Sequence, residues 1–403
     1  MSITDPAPLP FATFPLSPSE AAGALLFLAA VAGHAVLLIR SHNTWYGTGL
    51  GRRMIDLVQW VHAVLLLAGP AAIWFVLGFD LRPPFHAADP SPAFLPVAIY
   101  VVLCWLALVV FALITVWRLV RPRPAVLESN HTRTIDVAAE LGYKPVGRGG
   151  RRFLACLPGN QVFQVDITEK TLRLKRLPAA WDGLSILHFS DVHFTGTPDR
   201  DYFRRVMDLC AAWGPDLVAF TGDTVDTDVH YRWIVPLFGR LKSRCGAFAI
   251  LGNHDSYFEP ALVRRRLGRA GMRVLGNTWT QIEVRGEPLV VIGHEGPWFG
   301  TAPDLSACPS GPFRLCLSHT PDNIGWARRQ GIDLMLAGHV HGGQIRLPLI
   351  GSVVIPSRYG RRYDCGTFDE PPTVLHVSRG LGGDQPLRFN CRPEVSKLIL
   401  RPA

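Results

Sequence analysis

The hydrophobic pattern divides the chain sharply. Three stretches without a charged residue, Ala21–Ile39, Leu57–Phe79 and Pro90–Trp117, lie in its first third. A helix rises 1.5 Å per residue, so each stretch can cross a hydrocarbon layer of about 30 Å. Together they predict transmembrane helices over 21–39, 57–79 and 93–117. Met1–Glu20 has no Lys or Arg, so the first stretch does not read as a signal peptide, whose leading segment is basic. From Gln161 onward short β-type runs take over: Gln161–Ile167, Thr171–Leu177, Ser185–Phe189, Leu217–Phe220, Ala247–Leu251, Leu289–Ile292, Arg314–Ser318, Leu334–Ala337 and Val374–Val377. Between several of them stand helical stretches, Asp201–Trp213, Pro260–Ala270 and Asn323–Gln330. Strands alternating with helices predict a layered α/β domain. The expected organisation is an N-terminal tail over 1–20, a membrane domain over 21–118, a linker over 119–160 and an α/β domain over 161–403. The linker is rich in Gly and Arg, with a short helix expected near Thr134–Leu141, and the pattern gives it no role.

Charge adds an orientation. The chain is +9 overall, yet only 18% of its residues are charged and its mean hydropathy is +0.18, which excludes a disordered chain. Acidic and basic residues nearly balance up to Trp117, so the excess lies beyond it. Arg40, Arg52 and Arg53 sit between the first two stretches, Arg82 faces Asp80 and Asp89 between the second and third, and Arg118, Arg121 and Arg123 follow the third. The excess of arginine on cytoplasmic flanks predicts an outside N-terminus and a cytoplasmic α/β domain. Pro70 is tolerable as a kink within a membrane helix. His34 and His62 lie at membrane depth, where two imidazoles can hold a haem or simply bond to neighbouring backbone carbonyls. A membrane sensor or haem protein is thus the non-enzymatic alternative. Eight cysteines without a CxxC pair read as reduced residues, not as a zinc ribbon or disulfide framework. Arginine pairs such as Arg204-Arg205 and the run Arg264-Arg265-Arg266 read as solvated helix faces. A basic domain beneath an anionic leaflet also gains attraction to membrane lipids. No nucleic-acid-binding module is visible, so no nucleic-acid partner is expected.

The chemistry follows the strands. Ser185–Phe189 leads to Ser190-Asp191-Val192-His193, Leu217–Phe220 to Thr221-Gly222-Asp223, and Ala247–Leu251 to Gly252-Asn253-His254-Asp255. Leu315–Leu317 leads to Ser318-His319, and Leu334–Ala337 to Gly338-His339-Val340-His341-Gly342-Gly343-Gln344. Strand ends in open α/β sheets are where ligand sites assemble. Asp-x-His and His-x-His at period two send both side chains to one face of an extended chain. Carboxylate, imidazole and amide oxygen, without thiolate, suit Mn, Fe or Zn. The donors are too many for one ion, and a carboxylate can bridge two, the arrangement that serves displacement at phosphorus.

These five blocks, in this order, resemble the calcineurin-like metallophosphoesterases. The resemblance covers roughly Gln161–Ala403. Within it, Gly338–Pro348 and Ser378–Glu394 are similar to a membrane-associated bacterial branch that includes transmembrane phosphoesterases and lipid-pathway UDP-diacylglucosamine pyrophosphatases. The resemblance implies an α/β fold, a four-layer αββα sandwich of two mixed sheets. It implies two divalent metal ions: Asp191, His193 and His341 on the first, Asp223 bridging, and Asn253, His319 and His339 completing the second. His254 would face the scissile phosphate, with Asp255 orienting it, and a metal-bridging hydroxide would attack phosphorus in line. Gln344 and Arg379 are the expected substrate contacts. The implied substrate is a phosphodiester or pyrophosphate, with a nucleotide-linked lipid among the candidates, at a bacterial inner membrane. A general nucleotide phosphodiesterase and a phosphoprotein phosphatase are the enzymatic alternatives. The second is disfavoured because Asp226 is followed by Thr227-Asp228 where protein phosphatases carry Arg-Gly. His294-Glu295 stands where relatives have an Asp-rich turn. His188, on the strand face opposite Asp191, reads as a core residue and not a ligand.

Overall fold

The computed structural model describes residues 17–78 and 93–403. Most of the expected tail and the Arg82 loop lie outside the described residues. The chain divides into two compact units, one of residues 1–39 and 59–118, the other of 40–58 and 119–403.

The first unit is built on most of α1 (Pro18–Tyr46), α2 (Arg52–Leu77) and α3 (Phe94–Val120); the end of α1, the start of α2 and the last two residues of α3 belong to the second. Their most apolar windows have mean hydropathies of 2.3, 2.0 and 3.0, so all three are long and apolar enough to cross a membrane. α1 runs past both ends of its uncharged stretch, α2 begins before its stretch, at Arg52, and α3 continues beyond its stretch to Val120. Ala30, Ile73, Val101 and Cys104 form a small core, while Leu67 and Phe75 are 77% and 91% exposed. A Cβ at Gly33 would collide with the Cys104 carbonyl, so that glycine sets the close approach of α1 to α3. His34 ties the three helices: Nε2 bonds the Leu65 carbonyl at 2.9 Å and Nδ1 the Tyr100 hydroxyl at 2.5 Å. Both ring nitrogens are thereby engaged. His34 joins helices and has no nitrogen left for a haem iron.

The second unit continues with β1 (Leu127–Asp136), α4 (Val137–Leu141), β2 (Gln164–Leu174), β3 (Leu184–Phe189), α5 (Arg200–Ala211), β4 (Leu217–Phe220), α6 (Tyr231–Phe238), β5 (Gly246–Ala249), α7 (Pro260–Arg269), β6 (Arg273–Val274), β7 (Trp279–Val284) and β8 (Glu287–His294). It ends with β9 (Phe313–Ser318), α8 (Ile324–Arg329), β10 (Leu334–Ala337), β11 (Arg346–Leu347), β12 (Gly351–Ser352), β13 (Gly366–Glu370), β14 (Thr373–Val377) and β15 (Glu394–Pro402). Among the described residues there are two mixed sheets, in the orders β1-β2-β15-β3-β4-β5-β6 and β13-β14-β10-β9-β8-β7, and a small β11-β12 pair.

Side-chain alternation explains the layering. In β4, Leu217 and Ala219 enter the core between the sheets, where Leu289, Val291, Leu315 and Leu317 of the other sheet meet them. Val218 and Phe220 point the other way, onto Phe203 and Val206 of α5 and Leu237 and Phe238 of α6. The outer face of the second sheet, including Cys316, Met335 and Leu375, packs on Ile324 and Ala327 of α8. Both sheet faces are buried, which is why the strands read as continuous apolar runs. The result is the expected αββα stack.

Two local expectations change. Gln161–Ile167 and Thr171–Leu177 are not separate runs; the single strand β2 spans most of both. The region read as a linker supplies β1, paired antiparallel to β2. The helix expected near Thr134–Leu141 begins only at Val137, because the strand continues to Asp136, whose carboxylate then caps α4 through Ala139 N at 3.0 Å.

Candidate metal centre

The C-terminal ends of β3, β4, β9 and β10 and the loop after β5 bring the Asp, Asn and His residues together. Asp191, His193 and His341 form one compact donor group and Asp223, His319 and His339 another; within each group the donor atoms lie within 4.8 Å of one another. Asp223 stands between them: its Oδ2 is 3.3 Å from Nε2 of both His193 and His319. His193 Nε2 and His341 Nε2 face each other at 3.1 Å. Asn253 Oδ1 is 2.9 Å from His319 Nε2, so the amide joins the second group.

The backbone is bent to make this possible. Asp191, His193, Asp223, His339 and His341 all have positive φ, between 41° and 70°. The neighbouring glycines leave no room for a side chain. A Cβ at Gly252 would lie 2.2 Å from Asp223 Oδ1, and one at Gly338 2.3 Å from Asp191 Oδ2. Backbone amides also anchor the carboxylates: His339 N donates to Asp191 Oδ1 at 2.9 Å and His254 N to Asp223 Oδ1 at 2.8 Å.

The donor set fits divalent cations. It is buried, oxygen- and nitrogen-based, and already oriented. His319 Nδ1 donates to the Thr221 carbonyl at 2.7 Å, which turns Nε2 toward Asp223. His339 Nε2 is buried without a hydrogen-bond partner, a vacancy that a Lewis acid would fill. Burial pushes His339 and His341 well below the usual imidazole range, with His319 and His193 respectively adding to it, so both present lone pairs. Burial works against ionised Asp223, but His319, His254 and His193 outweigh it and hold the carboxyl well below its ordinary value.

His254 is half-buried at the edge of this cluster. The carboxylate that orients it is Asp226, not Asp255: His254 Nδ1 lies 2.5 Å from Asp226 Oδ1, and Asp226 Oδ2 receives His193 Nδ1 at 2.8 Å. Burial lowers His254, but Asp226 and then Asp223 outweigh it and raise it to about 10. Asp255 is consumed elsewhere. It accepts Thr224 N and Gly252 N, each at 3.0 Å, so it splices the loop after β4 to the loop after β5. Arg379 also departs from its expected role, because its guanidinium is taken by Glu394 at 2.9 Å and Asp166 at 3.0 Å. Gln344 lies in the metal loop at positive φ, with its amide against Gly383. His188 bonds Thr221 Oγ1 at 3.1 Å, stacks edge-on with His376, and is pushed by burial to about 3. It is a core residue, as expected.

Sequence reading missed several supports. Asp226 had a spacing signal, three residues after Asp223. Trp298, from the loop after β8, stacks on His339 and His319 at centroid distances of 4.8 and 5.5 Å. Buried Arg388 donates to the carbonyls of His341 at 3.1 Å and Arg379 at 2.9 Å, fixing the metal loop from behind. Glu295 accepts Leu251 N at 2.7 Å and is itself held by Arg264, so part of the basic run on α7 braces the Gly252–Asp255 loop.

The sandwich with this donor cluster at its strand ends defines a metal-dependent phosphoesterase, and comparison with known proteins agrees. Residues 184–343 match the family described as Calcineurin-like phosphoesterase. The chain is 31% identical over 247 residues to the uncharacterized metallophosphoesterase YkuE of Bacillus subtilis, covering 59% of this chain and 86% of that protein. It is 32% identical over 220 residues to phosphodiesterase YaeI of Escherichia coli, covering 53% and 81%. A transmembrane protein with metallophosphoesterase domain from Danio rerio is 26% identical over 264 residues, covering 59% and 57%. The chain belongs to the calcineurin-like metallophosphoesterases, metal-dependent phosphoester hydrolases.

Proposed function

We propose that this protein is a membrane-anchored phosphodiesterase or pyrophosphatase that acts on an amphiphilic phosphate ester with two divalent ions. The observation that carries the dinuclear reading is Asp223, whose one carboxylate serves both donor groups. Asp191, His193 and His341 would hold one ion and Asn253, His319 and His339 the other, with Asp223 shared. The ions supply Lewis-acid charge and an activated water for displacement at phosphorus. The chain's own contribution is positional. Asp226 fixes the His254 ring through Nδ1, so a proton held on Nε2 is available to the leaving oxygen. Trp298 covers one flank of the imidazole pair.

Membrane anchoring is supported by the three apolar helices, and the arginine distribution favours a cytoplasmic catalytic unit. A site tethered at a bilayer meets lipids at high effective concentration and gives soluble nucleotides no such advantage. That favours a nucleotide-linked or phosphorylated lipid over the general phosphodiesterase alternative. Chelation should abolish hydrolysis of bis(4-nitrophenyl) phosphate, and Mn, Fe or Zn should restore it. Asp223→Asn should rank among the most damaging single changes, since it removes charge between two cations. Full activity in excess chelator, or in that variant, overturns the dinuclear reading.

A further inference from the structure

One surface loop of the catalytic unit is built against its own interests. The β11-β12 hairpin runs directly on from the metal loop that carries His339 and His341, and its tip exposes apolar side chains. Leu347 is 45% exposed, Leu349 81%, and Val354, just beyond, 48%. Leu349 also adopts φ 63°, a left-handed conformation that disfavours a bulky side chain and that glycine would take freely. The leucine is therefore strained and buries little against the protein. Its stem is not loose. Arg346 donates to Asp364 at 2.8 Å and to the Gly342 carbonyl at 3.1 Å, and Ser352 Oγ joins the same carboxylate at 2.5 Å.

The residues after this tip hold the C-terminal end of α1, which belongs to the same compact unit. Asn43, almost fully buried, donates from Nδ2 to the Val353 carbonyl at 3.2 Å and accepts Ile355 N at 2.8 Å. Gly47 is packed so tightly that a Cβ would lie 2.6 Å from Asp322 Oδ2 and 2.7 Å from Arg358 N. Arg40 Nη1 would lie 3.2 Å from a Cβ placed on Gly360. Arg52, which opens α2, lies over the Tyr257 ring at 6.0 Å, in the turn that begins with His254. The loop between the two helices is thus stitched to the catalytic unit at several points.

We infer that the hairpin tip, Leu347, Leu349 and Val354, is a lipid-embedded foot that seats the metal loop on the leaflet from which α1 emerges. This rests on the reading of α1 and α2 as membrane-spanning. Two observations select lipid as the occupant. The tip is continuous, through the Asn43 hydrogen bonds, with a helix whose preceding residues are apolar enough to cross a bilayer. The segment 345–362 that contains it also carries four arginines and no acidic residue, a charge suited to an anionic leaflet; of these, Arg358 and Arg362 are more than half exposed at their side chains while pairing with Asp322 at 3.6 Å and Glu370 at 2.8 Å. An apolar tip beside basic residues is the composition of an interfacial anchor. The foot would hold the phosphate-binding centre at headgroup level, so the substrate class is a phosphodiester or diphosphate whose other end is an acyl chain.

The test places a nitroxide label on the full-length protein in vesicles of three parts phosphatidylcholine to one part phosphatidylglycerol. Exposed Cys156 is first replaced by Ser, and the residual signal of that background is subtracted. Leu349→Cys and Leu347→Cys should each collide several-fold more with oxygen than with a water-soluble nickel chelate. Val229→Cys, on an exposed turn of the same unit, should show the reverse preference. Phe75→Cys, on the exposed face of α2, reports whether the helices are in lipid at all. Water-like readings at both hairpin positions with a lipid-like reading at Phe75 overturn the foot and leave the anchor standing. A water-like reading at Phe75 overturns both. Protection of both hairpin labels from oxygen and nickel alike would mean a protein partner instead of lipid, and also overturns the inference.

Discussion

Asp226 shows how one side chain divides its work: each carboxylate oxygen serves a different imidazole, His193 inside the donor cluster and His254 at its edge. Truncating His254 to Ala should leave metal content unchanged and cost on the order of 10²–10⁴ in kcat, the usual range for lost acid–base catalysis. Its loss should shrink for esters whose leaving group is a weak base. Asp226→Asn should cost about 10–100-fold, as for other residues that orient metal-site imidazoles, and should lower metal content as well. A His254→Ala penalty independent of the leaving group would make that residue a positioning group. The donors themselves were legible because they follow strands in short motifs. Asp226 stood out only by its spacing from Asp223; its role was hidden, because its two partners are 33 residues before it and 28 after it and only the fold brings them together. Asp255 was misread for the reverse reason: adjacency to His254 in sequence implied a contact that Gly252 N and Thr224 N had already taken.

Among elements, β15 was the strand most hidden by its sequence. It pairs parallel to β2 and antiparallel to β3, yet Ser396, Lys397 and Arg401 interrupt its apolar run. β4 and β10 were readable to the residue because helices or sheet cover both their faces. β1 was not, since it is an edge strand with most side chains in solvent. What binds β15 in place is partly ionic. Glu394 meets Lys170 of β2 at 2.5 Å and Arg379 at 2.9 Å, with Lys170 and Glu394 both nearly inaccessible. Burial opposes the Glu394 charge, but Arg379 and Lys170 outweigh it and hold the carboxyl well below its ordinary value. Removing one partner of a buried network strands the others. Glu394→Ala should therefore lower unfolding free energy by about 3–5 kcal/mol, read by denaturant titration. A loss under about 1 kcal/mol would mean that water reaches the two cations.

For the whole molecule, the decisive property is which side of the membrane each unit occupies. Arg40, Arg52 and Arg53 at and near the α1–α2 connection, and Arg118, Arg121 and Arg123 at the end of α3 and just beyond it, are the basis for proposing a cytoplasmic catalytic unit. A reporter active only outside the cytoplasm should be silent when fused after Ala403 and active when fused in the Arg82 loop. The opposite pattern would reverse the orientation. The three long apolar helices were legible from hydropathy because lipid imposes a one-dimensional constraint on sequence. The contacts of Asn43 and Gly47 were not, since the Asn43 amide bonds backbone groups of Val353 and Ile355, and Gly47 is hemmed in by Asp322 and Arg358, all remote in sequence and announced by no motif.

The positive φ shared by Asp191, His193, Asp223, His339 and His341 reaches beyond the fold into the evolutionary freedom of the site. Aspartate, asparagine and histidine are the non-glycine residues that enter this region most readily, while β-branched residues are excluded from it. At these positions the backbone and a bound divalent ion would select the same few amino acids. A mutational path can exchange one donor for another, and so retune charge or metal preference, without rebuilding the loops. A path through valine, isoleucine or threonine meets two penalties at once, one from the lost donor and one from the main chain. In a saturation library, survivors at these five positions should collapse onto a small alphabet, and drift there should change which metal is used long before it changes the architecture that holds it.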